Sequence, residues 1–286
     1  AVILAHNYQV PEIQDVADFV GDSLELARKA REVDADLIVF AGVDFMAETA
    51  KIINPEKKVV MPESEACCPM ADMLDIEYLR DLKKQNPDAE VVMYVNTKAE
   101  AKAESDCTCT SANADKIVNA MDSDKVIFGP DQNLAYYVKQ RTDKEIIVAP
   151  PKGMCITHHM MNLDDLMQAK EKHPNAKTIV HPECIPELQE AADAIGSTSG
   201  IMRYCKENDA NEFSIGTENG MLYRLEQEIP GKKFYPLSDR AICVNMKKNT
   251  LEKLHSALNC EVPETNVPEE IRVKAEKAIQ RMLDLS

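Results

Sequence analysis

Three cysteines carry the strongest chemical signal in the chain. Cys68, Cys155 and Cys243 recur every 87 to 88 residues and close three segments that align without gaps: KKVVMPESEACC (57–68), KEIIVAPPKGMC (144–155) and KKFYPLSDRAIC (232–243). Each segment reads as a lysine, a short apolar strand, a proline-bearing loop and a cysteine. A lone cysteine is ordinarily a small buried hydrophobe, and Cys67, Cys107, Cys109, Cys184, Cys205 and Cys260 take that reading. One cysteine per copy at a constant phase is a different pattern, because alternation of strands and helices does not fix a thiol. Three thiolates related by a threefold axis can hold three irons of a [4Fe–4S] cubane and leave the fourth iron on the axis. Zinc instead takes four tetrahedral ligands, or three and a water, and electron-transfer clusters use four cysteines. An iron without a thiolate is a Lewis acid for a hydroxyl or carboxylate. The Cys107/Cys109 pair and the Cys155/His158 pair are weak metal signals, since the other copies lack counterparts.

The repeat extends to the elements that must position these groups. Gly42, Gly129 and Gly216 each follow an apolar strand, and Ser23, Ser111 and Ser199 each open a helix-like segment. Every unit reads strand, loop, helix, strand, helix, strand, loop, cysteine, helix. That order predicts right-handed crossovers and a small parallel sheet covered on both faces. The expected fold is α/β, with three similar α/β/α domains around a pseudo-threefold axis: 1–70 plus 247–286, 71–157, and 158–246. The site is expected at their common interface, and the last helix (266–284) is expected to pack back on the first unit. Ligands of parallel sheets bind beyond the carboxyl ends of the strands. Those ends are polar here: His6-Asn7-Tyr8, Tyr94-Val95-Asn96 and His181-Pro182-Glu183. Each serine alone reads as a helix N-cap, and three such helix starts facing one axis would attract anions.

Composition narrows the function. The 286 residues carry 33 basic and 49 acidic side chains, a net charge of −16, which disfavours nucleic acid and anionic membrane as partners. No apolar run approaches the roughly 18 residues of a transmembrane helix. No export signal is visible, and nine cysteines without a pairing pattern fit a reducing cytoplasm. None of the nine glycines builds a GxGxxG or GxxxxGK[ST] phosphate cradle.

The motifs AHNYQ with a following GDS, CPMADM, YVNT, CTSAN, HPEC, GSTSG and CVNMKKNTLEKL resemble the quinolinate synthase family of NAD biosynthesis, from residue 3 to about 254. The resemblance implies condensation of iminoaspartate with dihydroxyacetone phosphate to quinolinate, with release of phosphate and two waters. It implies a [4Fe–4S] cluster on Cys68, Cys155 and Cys243. It implies substrate contacts from His6, Ser23, Tyr94, Asn96, Ser111, His181, Glu183 and Thr198, with Val95 and Pro182 inside the same strand-exit tripeptides. Tyr8, Glu183 and Tyr94 are the implied proton carriers, and an aspartate oxidase or aspartate dehydrogenase is the implied source of iminoaspartate. Another cluster-dependent hydro-lyase on a small hydroxy-acid, a non-catalytic iron–sulfur sensor, and a structural zinc protein are the competing readings.

Overall fold

The computed structural model describes residues 1–286. The first unit runs β1 (Val2–His6), α1 (Pro11–Val16), β2 (Phe19–Gly21), α2 (Ser23–Glu32), β3 (Leu37–Ala41), α3 (Asp44–Ile53) and β4 (Lys58–Val60). Helices α4 (Pro69–Asp72) and α5 (Ile76–Gln85) lead into the second: β5 (Glu90–Tyr94), α6 (Ala99–Ala103), β6 (Cys107–Cys109), α7 (Ala114–Asn119), β7 (Lys125–Gly129), α8 (Gln132–Lys139) and β8 (Glu145–Val148). Helices α9 (Ile156–His159) and α10 (Leu163–Lys172) lead into the third: β9 (Lys177–Val180), α11 (Pro186–Ala191), β10 (Ala194–Ile195), α12 (Thr198–Glu207), β11 (Glu212–Gly216), α13 (Gly220–Glu228) and β12 (Lys233–Pro236). A 3-10 turn (Met246–Lys248), α14 (Leu251–Cys260) and α15 (Glu269–Leu285) complete the chain.

Each unit holds one four-stranded parallel sheet, and the order is the same in all three: β2-β1-β3-β4, β6-β5-β7-β8 and β10-β9-β11-β12. The sequence pattern predicts three strands per unit. The fourth is the short edge strand after α1, α6 and α11, only two or three residues long and therefore without a readable period. A repeated aspartate fixes it. Asp18, Asp106 and Asp193 accept from the backbone N–H of Ile3, Val91 and Thr178 at 2.8, 2.7 and 2.8 Å. Their own N–H groups return to the carbonyls of the same three residues. Strand β3 is buried along its whole length, as a central strand covered on both faces must be.

The lysine that opens each aligned segment donates to carbonyls at or just beyond the end of a helix. Lys57 Nζ donates to the carbonyls of Ala30 and Val33, Lys144 to those of Met121 and Ser123, and Lys232 to those of Cys205 and Asn208. Carbonyls at a helix C-terminus lack intrahelical donors and carry partial negative charge, so an ammonium there is doubly favourable.

The chain passes from unit to unit at the cysteines. Leu79 of α5 packs on Val91, Met93 and Ile127 of the second sheet. Leu166 and Ala169 of α10 pack with Val180 of the third, and Leu254 and Ala257 of α14 pack on Val39, Ala41 and Val60 of the first. Each post-cysteine helix thus covers a different sheet from the strand that precedes it. Helix α15, expected on the first unit, instead lies mainly against β6, α6 and α7 of the second and touches α3 of the first. Asn113 Nδ2 donates to Ser286 Oγ at 2.6 Å, and Arg281 pairs with Glu90 at 3.0 Å. Gly129 permits a close approach: a Cβ there would lie 1.7 Å from the carbonyl oxygen of Ala149.

Candidate active site

The carboxyl ends of the three central strands open into one cavity of about 250 Å³. The strand-exit residues His6, Tyr8, Tyr94, Asn96, His181 and Glu183 line it, and so do Ser23, Ser111 and Thr198. Cys68, Cys155 and Cys243 line the same cavity, and no other cysteine does. Val95 and Pro182 do not. The Val95 N–H pairs with the Cys109 carbonyl, and the Pro182 carbonyl accepts from Gln189.

Buried donors at a constant phase shape the strand exits. Gln14 Nε2 donates to the carbonyls of Asn7, Gln9 and Gly220, and Gln189 Nε2 to those of Pro182, Cys184 and Asn133. Each amide therefore ties its own exit loop to a neighbouring unit. Lys102 stands at the same phase in the second unit, wholly buried, and donates to the Thr97 carbonyl. Burial lowers the Lys102 ammonium to about 8.

The serines are not the caps the sequence proposed. Asp22 caps α2 and Ser197 caps α12, each accepting backbone N–H groups of the first turn. Ser23 therefore keeps its hydroxyl for the cavity it lines, and Ser111 Oγ lies 3.2 Å from His181 Nε2. The remaining cysteines also differ in part from the expected burial, since Cys67 is half-buried and Cys260 is exposed.

His6 and His181 are buried, and burial lowers both imidazoles to about 3, so each is neutral near pH 7. His6 Nδ1 accepts the N–H of Tyr8 at 3.2 Å. That bond leaves the proton on Nε2, making the ring an uncharged donor. Two residues outside the expected site connect the rest: His158, discounted in the sequence as a weak metal signal, and Thr217. His158 Nδ1 lies 2.8 Å from Glu183 Oε2, His158 Nε2 lies 2.8 Å from Thr217 Oγ1, and Thr217 Oγ1 lies 2.7 Å from the Tyr8 hydroxyl. The result is one continuous chain, Glu183–His158–Thr217–Tyr8. Burial pushes the Glu183 carboxyl up, but His158 and His181 beside it hold it down at about 2. Its Oε1 is buried without a partner, as is Oδ1 of Asn96. Tyr8 and Tyr94 stay phenolic, because burial raises both well above the ordinary tyrosine range. The signal for His158 was the CxxH spacing from Cys155. Thr217 follows the repeat glycine Gly216, and only the fold brings it to Tyr8.

The thiols suit a metal centre. Burial pushes Cys68 up to about 12 and raises Cys155 and Cys243, so none is a stable bare thiolate. His158 Nδ1 lies 3.1 Å from Cys155 Sγ. Three thiols of raised pKa that line one cavity describe a site that positive metal charge would complete. Cys155, His158 and Glu183 also present ligand atoms within 4.8 Å of one another.

The family model described as Quinolinate synthetase A protein matches residues 1–284. The chain belongs to the quinolinate synthase family. It is 58% identical over 288 residues to the quinolinate synthase of Methanocaldococcus jannaschii, covering 99% of this chain and 94% of that protein. It is 56% identical to that of Pyrococcus horikoshii over 286 residues (100% and 95%) and 52% identical to that of Alkaliphilus metalliredigens over 286 residues (100% and 94%). Quinolinate synthases are enzymes of NAD biosynthesis, and the single cavity shared by all three units is where this chain gathers its ionisable and nucleophilic groups. No helix of the chain is long and apolar enough to cross a membrane.

Proposed function

We propose that the protein condenses iminoaspartate with dihydroxyacetone phosphate to quinolinate, phosphate and two waters, with a [4Fe–4S] cluster on Cys68, Cys155 and Cys243. The observation that carries this reading is the meeting of one cysteine and one strand exit from each unit around one cavity. When bound, the cluster would supply a Lewis-acidic iron for a substrate hydroxyl or carboxylate.

The chain's own residues account for recognition and proton movement. The substrates bring two carboxylates and a phosphate into a protein of net charge −16. Neutral donors hold them without lysines: the His6 and His181 imidazoles, the hydroxyls of Ser23, Ser111 and Thr198, and the N-terminus of α12. Phosphate loss, tautomerisation, ring closure and dehydration each move a proton. Glu183 keeps its charge and stabilises a proton on His158 Nδ1, as the carboxylate of a Ser-His-Asp triad stabilises its imidazolium. Thr217 passes the proton between His158 Nε2 and the Tyr8 hydroxyl. Val43, Phe45, Met46 and Met70 line the cavity and limit water around reactive intermediates. Because the walls come from three units, admitting two substrates requires the units to move apart as bodies. An enzyme that oxidises aspartate, by oxidase or dehydrogenase chemistry, is the expected source of iminoaspartate.

The test is anaerobic reconstitution, metal and sulfide analysis, and product assay with iminoaspartate generated in place. About four irons and four sulfides per chain, with quinolinate and phosphate formed in equal amounts, support the reading. Phosphate retention on the triose sinks the condensation. A single zinc or iron per chain points instead to a mononuclear centre at Cys155, His158 and Glu183.

A further inference from the structure

We propose that Asp44, Asp131 and Glu218 are positioning residues for the three cysteines, each fixing the backbone from which its sulfur reaches the shared centre. The inference rests on the cluster reading above. The three acids recur at a period of 87, each two residues beyond the repeat glycine: Gly42-Val43-Asp44, Gly129-Pro130-Asp131 and Gly216-Thr217-Glu218. Asp44 Oδ1 accepts the N–H of Cys68 at 3.0 Å. Asp131 Oδ2 accepts that of Cys155 at 2.8 Å, and Glu218 Oε1 accepts that of Cys243 at 3.0 Å.

Helix capping alone does not account for this arrangement. The acids do serve the helices that follow them: Asp44 accepts from Phe45 N–H at 2.9 Å, Asp131 from Asn133 and Leu134 at 2.8 and 2.7 Å, and Glu218 from Gly220 at 2.7 Å. A cap needs no second bond to a residue some two dozen positions away, and here that residue is the cysteine in every copy. The side chains also track the loop length. Asp44 and Asp131 stand 24 residues before their cysteines, and Glu218 stands 25 before Cys243, so the copy with the extra residue carries the extra methylene. Asp131 and Glu218 are buried. Lys98 pairs with Asp44 at 2.5 Å and Lys247 with Glu218 at 3.0 Å. Asp44 and Asp131 do not line the cavity, so they act through the cysteines rather than on substrate.

The hydrogen bond fixes the direction in which the Cα–Cβ bond leaves the loop. Without it the loop samples other directions, and three ligands must be ordered again whenever the metal binds. Asp44 offers the cleanest test, because its Oδ1 takes both backbone bonds while Oδ2 faces Lys98. Asp44→Asn keeps the accepting oxygen and removes the charge. Asp44→Ala removes both, and Asp44→Ser keeps a hydroxyl beside the Phe45 N–H but is too short to reach Cys68. The readout is the rate at which an iron chelator strips the anaerobically reconstituted enzyme, followed by the visible iron–sulfur absorbance. The melting temperature of each apo-protein reports folding independently. Asp44→Ala and Asp44→Ser are expected to lose the cluster on the order of 10–100-fold faster, with Asp44→Asn within about threefold of wild type. Loss from Asp44→Ala at the wild-type rate overturns the proposal, and so does Asp44→Asn stripping as fast as Asp44→Ala. If Asp44→Ala does not fold, the Asp44→Ser rate decides by the same criterion. A wild-type chain that takes up no iron–sulfur cluster overturns the underlying cluster reading, a result separate from any difference among the variants.

Discussion

Replacing Glu183 by Gln isolates one charge in the site. Glu183 is 3% exposed, with Oε2 2.8 Å from His158 Nδ1 and Oε1 unpartnered. The amide has nearly the same volume, so packing against the neighbouring rings is retained. What disappears is the negative charge that stabilises a proton on His158. Loss of a positioned acid–base group costs about 10²- to 10⁴-fold in turnover. At about 1.4 kcal/mol per decade, that raises the barrier by about 3–6 kcal/mol. The assay is anaerobic quinolinate formation by the reconstituted variant, with iron and sulfide counted on the same sample and the apo-protein melted as a folding check. The expected result is a full metal content with turnover reduced by at least about two decades. Turnover near wild type with a full cluster would remove Glu183 from proton transfer. Turnover lost together with the metal would show that Glu183 serves the centre rather than the proton chain.

Three further outcomes follow from the geometry. Cys68→Ser, Cys155→Ser and Cys243→Ser should each fail to retain an intact cluster, whereas Cys67→Ser should retain it, because Cys67 does not line the cavity; iron and sulfide counts that rank the four variants otherwise refute the ligand set. In the apo-protein, His6 and His181 titrate at about 3 when folded against an ordinary 6.5, so the unfolded chain takes up their protons first as pH falls. Their contribution is complete above about pH 6.5 and is lost toward pH 3, at about 1.4 kcal/mol per pH unit for each ring. Denaturation of His6→Asn between about pH 6 and 4 should show a slope shallower by that amount, and an unchanged slope rejects the buried neutral ring. Gly129→Ala should lower stability by about 3 kcal/mol or more, because its Cβ would lie 1.7 Å from the Ala149 carbonyl oxygen; a melting temperature equal to wild type contradicts the close β7–β8 approach.

Much of this architecture can be read from spacing. The in-phase cysteines, glycines and strand-opening lysines require three copies of one α/β unit, and the motifs around the strand exits point to the family. The short edge strands are not legible, because two or three residues carry no period and the aspartate that pins each one looks like an ordinary loop residue. The carboxylates beside the cysteines were present in the same repeat, two positions past each glycine, but a repeat states only recurrence and not what an oxygen touches. The chain of His158 and Thr217 lay further out of reach. His158 occurs once per chain rather than once per unit, and its partners Glu183, Thr217 and Tyr8 lie 25, 59 and 150 positions away.

The amino-acid order alone thus determined the repeating unit, the in-phase cysteines and the polar strand ends, because each is a local pattern written once per copy. Which of those groups share one cavity, which hydroxyls stay free once Asp22 and Ser197 have taken the helix caps, and which way a proton can travel were decided only by tertiary structure. Such contacts are made between units, where each post-cysteine helix crosses to a different sheet and carries its neighbours' side chains to the common centre.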